Sequence, residues 1–155
     1  MKSVFALVFA VLLPVFSFAH GEEHGGGHHG ANSYHLIFKG GAMHIHADFE
    51  VVPAVGTDSV LRLTSMNGAT HTPMAFTDDV EVVLWMPSMG HGSSPTQVER
   101  IADASGNIIE EALRVRNVYF IMGGDWEVRV TLKSADGTTE TQSFALNVAG
   151  GGHHH

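Results

Sequence analysis

The sequence predicts an all-β protein, an antiparallel immunoglobulin-like β-sandwich of about seven strands, and three observations carry that prediction. Apolar side chains recur every second residue in segment after segment; clusters of Gly, Asn and Asp punctuate those segments; and no stretch carries the 3.6-residue period of an amphipathic helix. The first strand spans 43–52, where Met43, Ile45, Ala47, Phe49 and Val51 alternate with His44, His46, Asp48 and Glu50. A second is expected at 59–65, after the turn Gly56-Thr57-Asp58. In 80–86, Val80, Val82, Leu84 and Met86 share one face. Strands at 97–103 and 112–121 flank the turn Ser105-Gly106-Asn107. In 126–133, Trp126, Val128, Val130 and Leu132 alternate with Glu127, Arg129, Thr131 and Lys133, and Asp136-Gly137 turns the chain into a last strand at 139–148. Strands that alternate in this way are buried on one face only. That excludes a doubly wound parallel sheet, whose central strands are continuously apolar.

The sandwich is expected to occupy 34–149. Residues 1–19 read as an export signal: Lys2 supplies the positive start, Val4 to Phe16 is almost wholly apolar, and Ser17-Phe18-Ala19 is a small-x-small cleavage site. The apolar run is shorter than the ~20 residues a spanning helix needs. Cleavage after Ala19 would leave a soluble protein in the periplasm or an equivalent exported space. Residues 20–33 form a His/Gly-rich leader with too few apolar side chains to fold, and flexibility is expected there. The end, 150–155, repeats that composition and is either a native tail or an added tag.

Composition narrows the chemistry. The 155 residues suit one domain. Against 16 Asp+Glu stand 8 Lys+Arg, for a formal charge of −8 with no basic cluster, which disfavours nucleic acid as a partner. The absence of cysteine excludes disulfides, thiolate metal sites and cysteine nucleophiles. Paired acids at Glu22-Glu23, Asp78-Asp79 and Glu110-Glu111 would point to opposite faces of a strand. No Gly-x-Ser-x-Gly elbow, Walker loop or His-Glu-x-x-His motif is present, so no catalytic activity is expected. What remains is an excess of neutral donors: 12 histidines and 7 methionines.

The sharpest feature is Leu84-Trp85-Met86-Pro87-Ser88-Met89-Gly90-His91-Gly92. Pro87 cannot donate to a sheet ladder and ends the strand. Gly90 and Gly92 permit a tight loop in which Met89 and His91 could converge with Met86. Two thioethers and an imidazole form a soft, neutral ligand set, suited to Cu(I) and poor for Mg²⁺, Ca²⁺ or Mn²⁺. On spacing alone a second reading stands beside this one: Met86 fills the core in phase with Val82 and Leu84, and Met89 and His91 decorate a turn. Trp85 is either a lid over the site or an ordinary packing residue.

The Trp-Met-Pro-Ser-Met-Gly-His run, with Asn117-Val118-Tyr119-Phe120-Ile121-Met122-Gly123-Gly124-Asp125-Trp126 downstream, resembles the YtkA-like/FixH-like family of small exported or membrane-anchored sandwich domains. The resemblance covers about 45–148 and rests mainly on these two motifs. It implies a copper-handling role. Met86, Met89 and His91 match the first motif, and Met122 matches the methionine of the second. Gly123 departs from the family pattern, in which proline or a similar residue is common there, and the His-rich leader lies outside the family domain.

Lesser candidates complete the inventory. Cleavage would make His20 the N-terminus, where its α-amine and ring nitrogen could chelate Cu(II) with His24, His28 or His29; a floppy tail binding divalent metals loosely is the alternative. His44 and His46 share one strand face with Asp48, as solvated polar alternation would also have it. His71 and Met74 lie in the loop Thr70-His71-Thr72-Pro73-Met74 and would be further ligands if that loop lay beside 86–91. The expectation is therefore a periplasmic copper carrier. Its recipient would be an oxidase assembly factor, an oxidase subunit or an efflux component. Two other readings stay open: a zinc- or nickel-sequestering protein that uses its histidines, and an interaction domain with incidental metal binding.

Overall fold

The computed structural model describes residues 32–150; the expected signal peptide, the leader histidines and the last five residues lie outside them. The strands are β1 (Ser33–Phe38), β2 (Met43–Phe49), β3 (Asp58–Asn67), β4 (Asp79–Met86), β5 (His91–Gly92), β6 (Gln97–Ala102), β7 (Ile108–Tyr119), β8 (Gly124–Lys133) and β9 (Thr139–Val148). They form a five-stranded sheet, β1-β2-β3-β7-β6, facing a four-stranded sheet, β5-β4-β8-β9. Every pairing within them is antiparallel. Setting β1 and β5 aside, the order is β2-β3-β7-β6 over β4-β8-β9. That is the ABED-over-CFG arrangement of an immunoglobulin sandwich, built from the seven segments expected as strands.

The structure adds two strands to those seven. β1 pairs with β2 through a tight turn at Lys39–Gly41. Its Leu36 and Phe38 face the core while Ile37 between them is half exposed, so the run Leu36-Ile37-Phe38 hides the period of two. β5 is only two residues long and pairs with the end of β4. The strand expected to run to 52 stops at Phe49. Val51 and Val52 turn outward instead, ahead of Pro53.

Period-two burial is strict where it matters most: β2 alternates without a break from Met43 to Phe49. Phe38, Ile45, Leu61, Leu63 and Val115 from one sheet, with Phe120 just past the end of β7, pack with Leu84, Trp126, Val128 and Val130 from the other, all essentially solvent-free. Each contributes roughly 1.5–3 kcal/mol relative to an exposed side chain. Phe120 meets Trp126 edge to face at 5.3 Å, and Tyr34 stacks on Phe144 at 3.9 Å where β1 covers β9.

Two turns carry buttressing carboxylates. Asp103 accepts hydrogen bonds from the backbone N–H of Asn107, the Asn107 side chain and the N–H of Ser105, and these hold its carboxyl below the ordinary range. Asp136 is lowered likewise by the Thr138 hydroxyl and N–H. A depressed folded pKa contributes stability above the unfolded value of about 3.9, lost as pH falls through the folded one. Urea midpoints are expected to hold level above that value and decline below it. Asp103→Asn/Asp136→Asn should flatten the acid limb.

Gly68 seats the end of β3. Its N–H donates to Ala42 O at 2.9 Å. A Cβ there would overlap the Gly41 carbonyl oxygen and stand 2.9 Å from His44 Nε2. Because the obstruction is backbone, Gly68→Ala is expected to destabilise by about 1–3 kcal/mol, read as a lower urea midpoint.

Candidate metal site

β4 ends at Met86, and the chain reverses at once. The Met86 carbonyl accepts from the N–H of Met89 at 3.2 Å and of Gly90 at 3.0 Å. Gly90, at φ 65°, makes the left-handed step that returns the chain to β5. Met86 and His91 become directly opposed cross-strand partners. Opposed residues in an antiparallel pair share a face, so His91 stands on the inner side with Met86. Met89 sits at the tip and is 58% exposed.

His91 is half-buried, and its Nδ1 lies 3.2 Å from Gly92 O. A carbonyl can only accept, so Nδ1 is the donor in this contact, which in a neutral ring leaves Nε2 as the nitrogen that can ligate.

The second motif meets the first at this end of the sandwich. β4 pairs with β8 so that Trp85 lies opposite Glu127, which brings the start of β8 alongside the end of β4. A Cβ on Gly124 would come within 3.3 Å of Met86 Cε, so the methionine methyl packs under the β7–β8 loop. That loop is pinned at three points. Trp126 Nε1 donates to Met122 O at 3.1 Å, Gly56 N–H donates to Phe120 O at 3.0 Å, and the Ser93 hydroxyl donates to Tyr119 O. The last bond ties the segment leaving β5 directly to the end of β7. Met122 is 36% exposed on this rim.

The four residues of the two motifs thus share one end of the molecule, the methionine end. Met86 is 2% exposed and belongs to the core cluster. Its side chain packs in the core directly beneath the β7–β8 loop. Both ends of the described chain also arrive here. Phe49 N–H donates to Asn32 O at 2.9 Å, and a Cβ on Gly123 would meet Gly150 Cα at 2.5 Å. The end is apolar: of the eight exposed large hydrophobic side chains among the described residues, Val51, Val52, Met89, Ile121 and Met122 lie in its loops.

Other candidates fall elsewhere. His71 and Met74 belong to the loop between β3 and β4 and enter β4 at Asp79, whereas Met86 closes its far end. Eight strand residues separate the two ends, about 23 Å at the rise of an extended chain. The loop does not lie beside 86–91, and neither residue completes that site. Met74 is tied to β3 through its N–H to Ser65 O, at 3.1 Å, and packs on the core. His44 and His46 project from the outer face of the five-stranded sheet, opposite Met66 and Thr64 of β3. Trp85 is no lid: it lies on the outer face of its sheet, with Arg129 4.9 Å over the ring. His20, His24, His28 and His29 lie outside the described residues. The histidine that sequence reasoning missed is His35. It sits directly opposite His46. Recognising the short strand at Tyr34-His35-Leu36-Ile37-Phe38 would have placed it there.

As the side chains stand, no group of three or more His, Asp or Glu among the described residues is arranged to hold a metal ion. That leaves sulfur donors as the distinguishing feature of the methionine end.

No family model matches the chain, and no curated protein matches it. A solved structure of a DUF4426 family protein from Pseudomonas aeruginosa PAO1 is similar, with a TM-score of 0.50 at 14% identity over 78% of this chain and 98% of that one. At that identity the likeness shows the fold alone.

Proposed function

We propose that this protein is an exported, non-catalytic copper carrier that holds Cu(I) at the methionine end of the sandwich. One observation carries the reading. A hairpin sets Met86 and His91 face to face with Met89 at its tip, and a loop tied to that hairpin adds Met122. Thioethers and a neutral imidazole are soft donors that favour Cu(I) over hard cations, and thioethers suit an oxidising compartment where thiolates would be lost. The resemblance to YtkA-like/FixH-like domains supports the same reading.

Transfer would proceed by ligand exchange, each incoming donor displacing one thioether, so copper passes without release as a free ion. The apolar rim around Met89 and Met122 gives a recipient a surface to dock on. That recipient would be an oxidase assembly factor, an oxidase subunit or an efflux component. The His-rich leader joins the chain at this end, because Asn32 lies there. His29, three residues before it, is within about 11 Å of Asn32 at full extension. The leader would capture or buffer Cu(II) for the same end.

An anaerobic Cu(I) competition titration at neutral and mildly acid pH tests the reading. Imidazole must be neutral to bind a metal, whereas thioethers do not titrate. One-to-one Cu(I) binding that survives mild acid is the expected result. A histidine-based zinc or nickel store would lose its metal over that interval and would prefer Zn²⁺ or Ni²⁺ at neutral pH. An interaction domain would capture its partner regardless of chelators.

A further inference from the structure

The outer face of the five-stranded sheet gathers four imidazoles from three parts of the chain. β1 and β2 pair so that His35 lies opposite His46, and the ring centres are 4.8 Å apart. His35 is also 4.7 Å from His44, and His44 is 6.0 Å from His71. His71 is held there by a left-handed backbone, φ 55°, and by its N–H to Asn67 O at 2.9 Å. Met66, directly opposite His44 on β3, adds a thioether to the same face. Asp48 faces the same way, opposite Ser33 on one side and Arg62 on the other.

Polar alternation on a solvated face would explain two histidines at i and i+2 on β2. It does not explain a third on the next strand at the paired position, nor a fourth brought in by a strained loop. A metal bonded to two imidazole nitrogens at 2.0–2.1 Å sets their ring centres about 5 Å apart. The spacings around His35 match that separation. The rings of His44 and His46 stand 66° and 23° to that of His35, and as they stand no three of them are arranged to hold a metal ion. Convergence therefore requires rotation about side-chain bonds, which the exposure of His35 permits.

We propose that His35, His44 and His46, with His71 at the rim, form a second metal site for a divalent late first-row cation. Imidazole is a borderline donor, and in the usual order of affinities Cu²⁺ binds such a set more tightly than Ni²⁺ or Zn²⁺. The site is distinct from the methionine end. His44 and His71 lie where β3 ends at Asn67, whereas the methionine loops lie beside Asp58 and Tyr119, at its other end. The two donor sets divide the oxidation states of copper between them, imidazoles for Cu(II) and thioethers for Cu(I).

The test is paramagnetic broadening of amide resonances in the ¹⁵N-labelled full chain, titrated with Cu²⁺ alone under air. The sequence carries other histidines near both ends, so the readout must resolve positions. The expected result is loss of more than half the intensity at the amides of His35, His44, His46 and Thr64 by the third equivalent. His35→Gln/His46→Gln should abolish that loss with the remaining spectrum unchanged, and Met89→Ala should leave it intact. Broadening confined to 20–29, 91 or 153–155 would overturn the proposal, as would broadening of the patch that persists in the double variant. Loss of the patch signal in Met89→Ala would overturn its independence from the methionine end. The Cu(I) reading is tested anaerobically and stands or falls separately.

Discussion

Replacing Met89 with alanine is expected to lower Cu(I) affinity by on the order of 10²-fold, at or above the range seen when even an outer-shell partner of a metal site is lost. The residue is 58% exposed at a hairpin tip, so the fold should change by no more than about 0.5 kcal/mol. His91→Ala should cost a similar factor. Met86 needs a different substitution. It is buried, and truncation to alanine would destabilise by about 2–5 kcal/mol, confounding any change in binding. Met86→Leu conserves volume at a cost below about 1.5 kcal/mol while deleting the sulfur. A drop in Cu(I) affinity in Met86→Leu with an intact unfolding transition separates its ligand role from its packing role. Full affinity there would assign Met86 to the core alone and leave Met89, His91 and Met122 as the donors.

Trp126→Ala should produce the largest loss of stability, about 3–5 kcal/mol. The indole is 1% exposed, packs edge to face on Phe120, and donates to the carbonyl of Met122. It therefore joins the core to the loop that presents a ligand. Trp126→Phe separates the two effects. It keeps an aromatic ring in the core but deletes the N–H, a loss of about 1 kcal/mol for the hydrogen bond. Freed of that anchor, the Met122 loop should hold copper several-fold more weakly, while the unfolding midpoint falls far less than in Trp126→Ala. Urea unfolding and Cu(I) competition on the same two variants check this. Unaltered affinity in Trp126→Phe would mean that the anchor does not position Met122.

Of the seven strands of the immunoglobulin order, β2, β4 and β8 were legible from their period of two, whereas β6 and β7 carry register shifts that break it and were legible from the turns that bound them. β1 was not, since Ile37 interrupts the polar side of its pattern with an apolar residue half exposed to solvent. β5 is too short to show any period. The methionine hairpin was legible from Pro87 and the two glycines that close it. That Met122 shares its end follows from β4 and β8 being neighbours, a fact of topology that spacing does not encode. The same limit applies to His71 and Met74. The chain leaves β3 at one end and reaches Met86 only after crossing the whole sheet, so closeness in sequence gave no closeness in space. The grouping of His35 with His44 and His46 depends on strand register, and one residue of slip would have sent His35 to the core.

The measurement that bears most directly on the copper reading is X-ray absorption at the copper edge of the protein loaded with one equivalent of Cu(I) under anaerobic conditions. The expected spectrum shows two or three sulfur scatterers with a single nitrogen, and loses one sulfur in Met89→Ala. A first shell of nitrogen alone, unchanged in that variant, would contradict the assignment and move copper to the histidines.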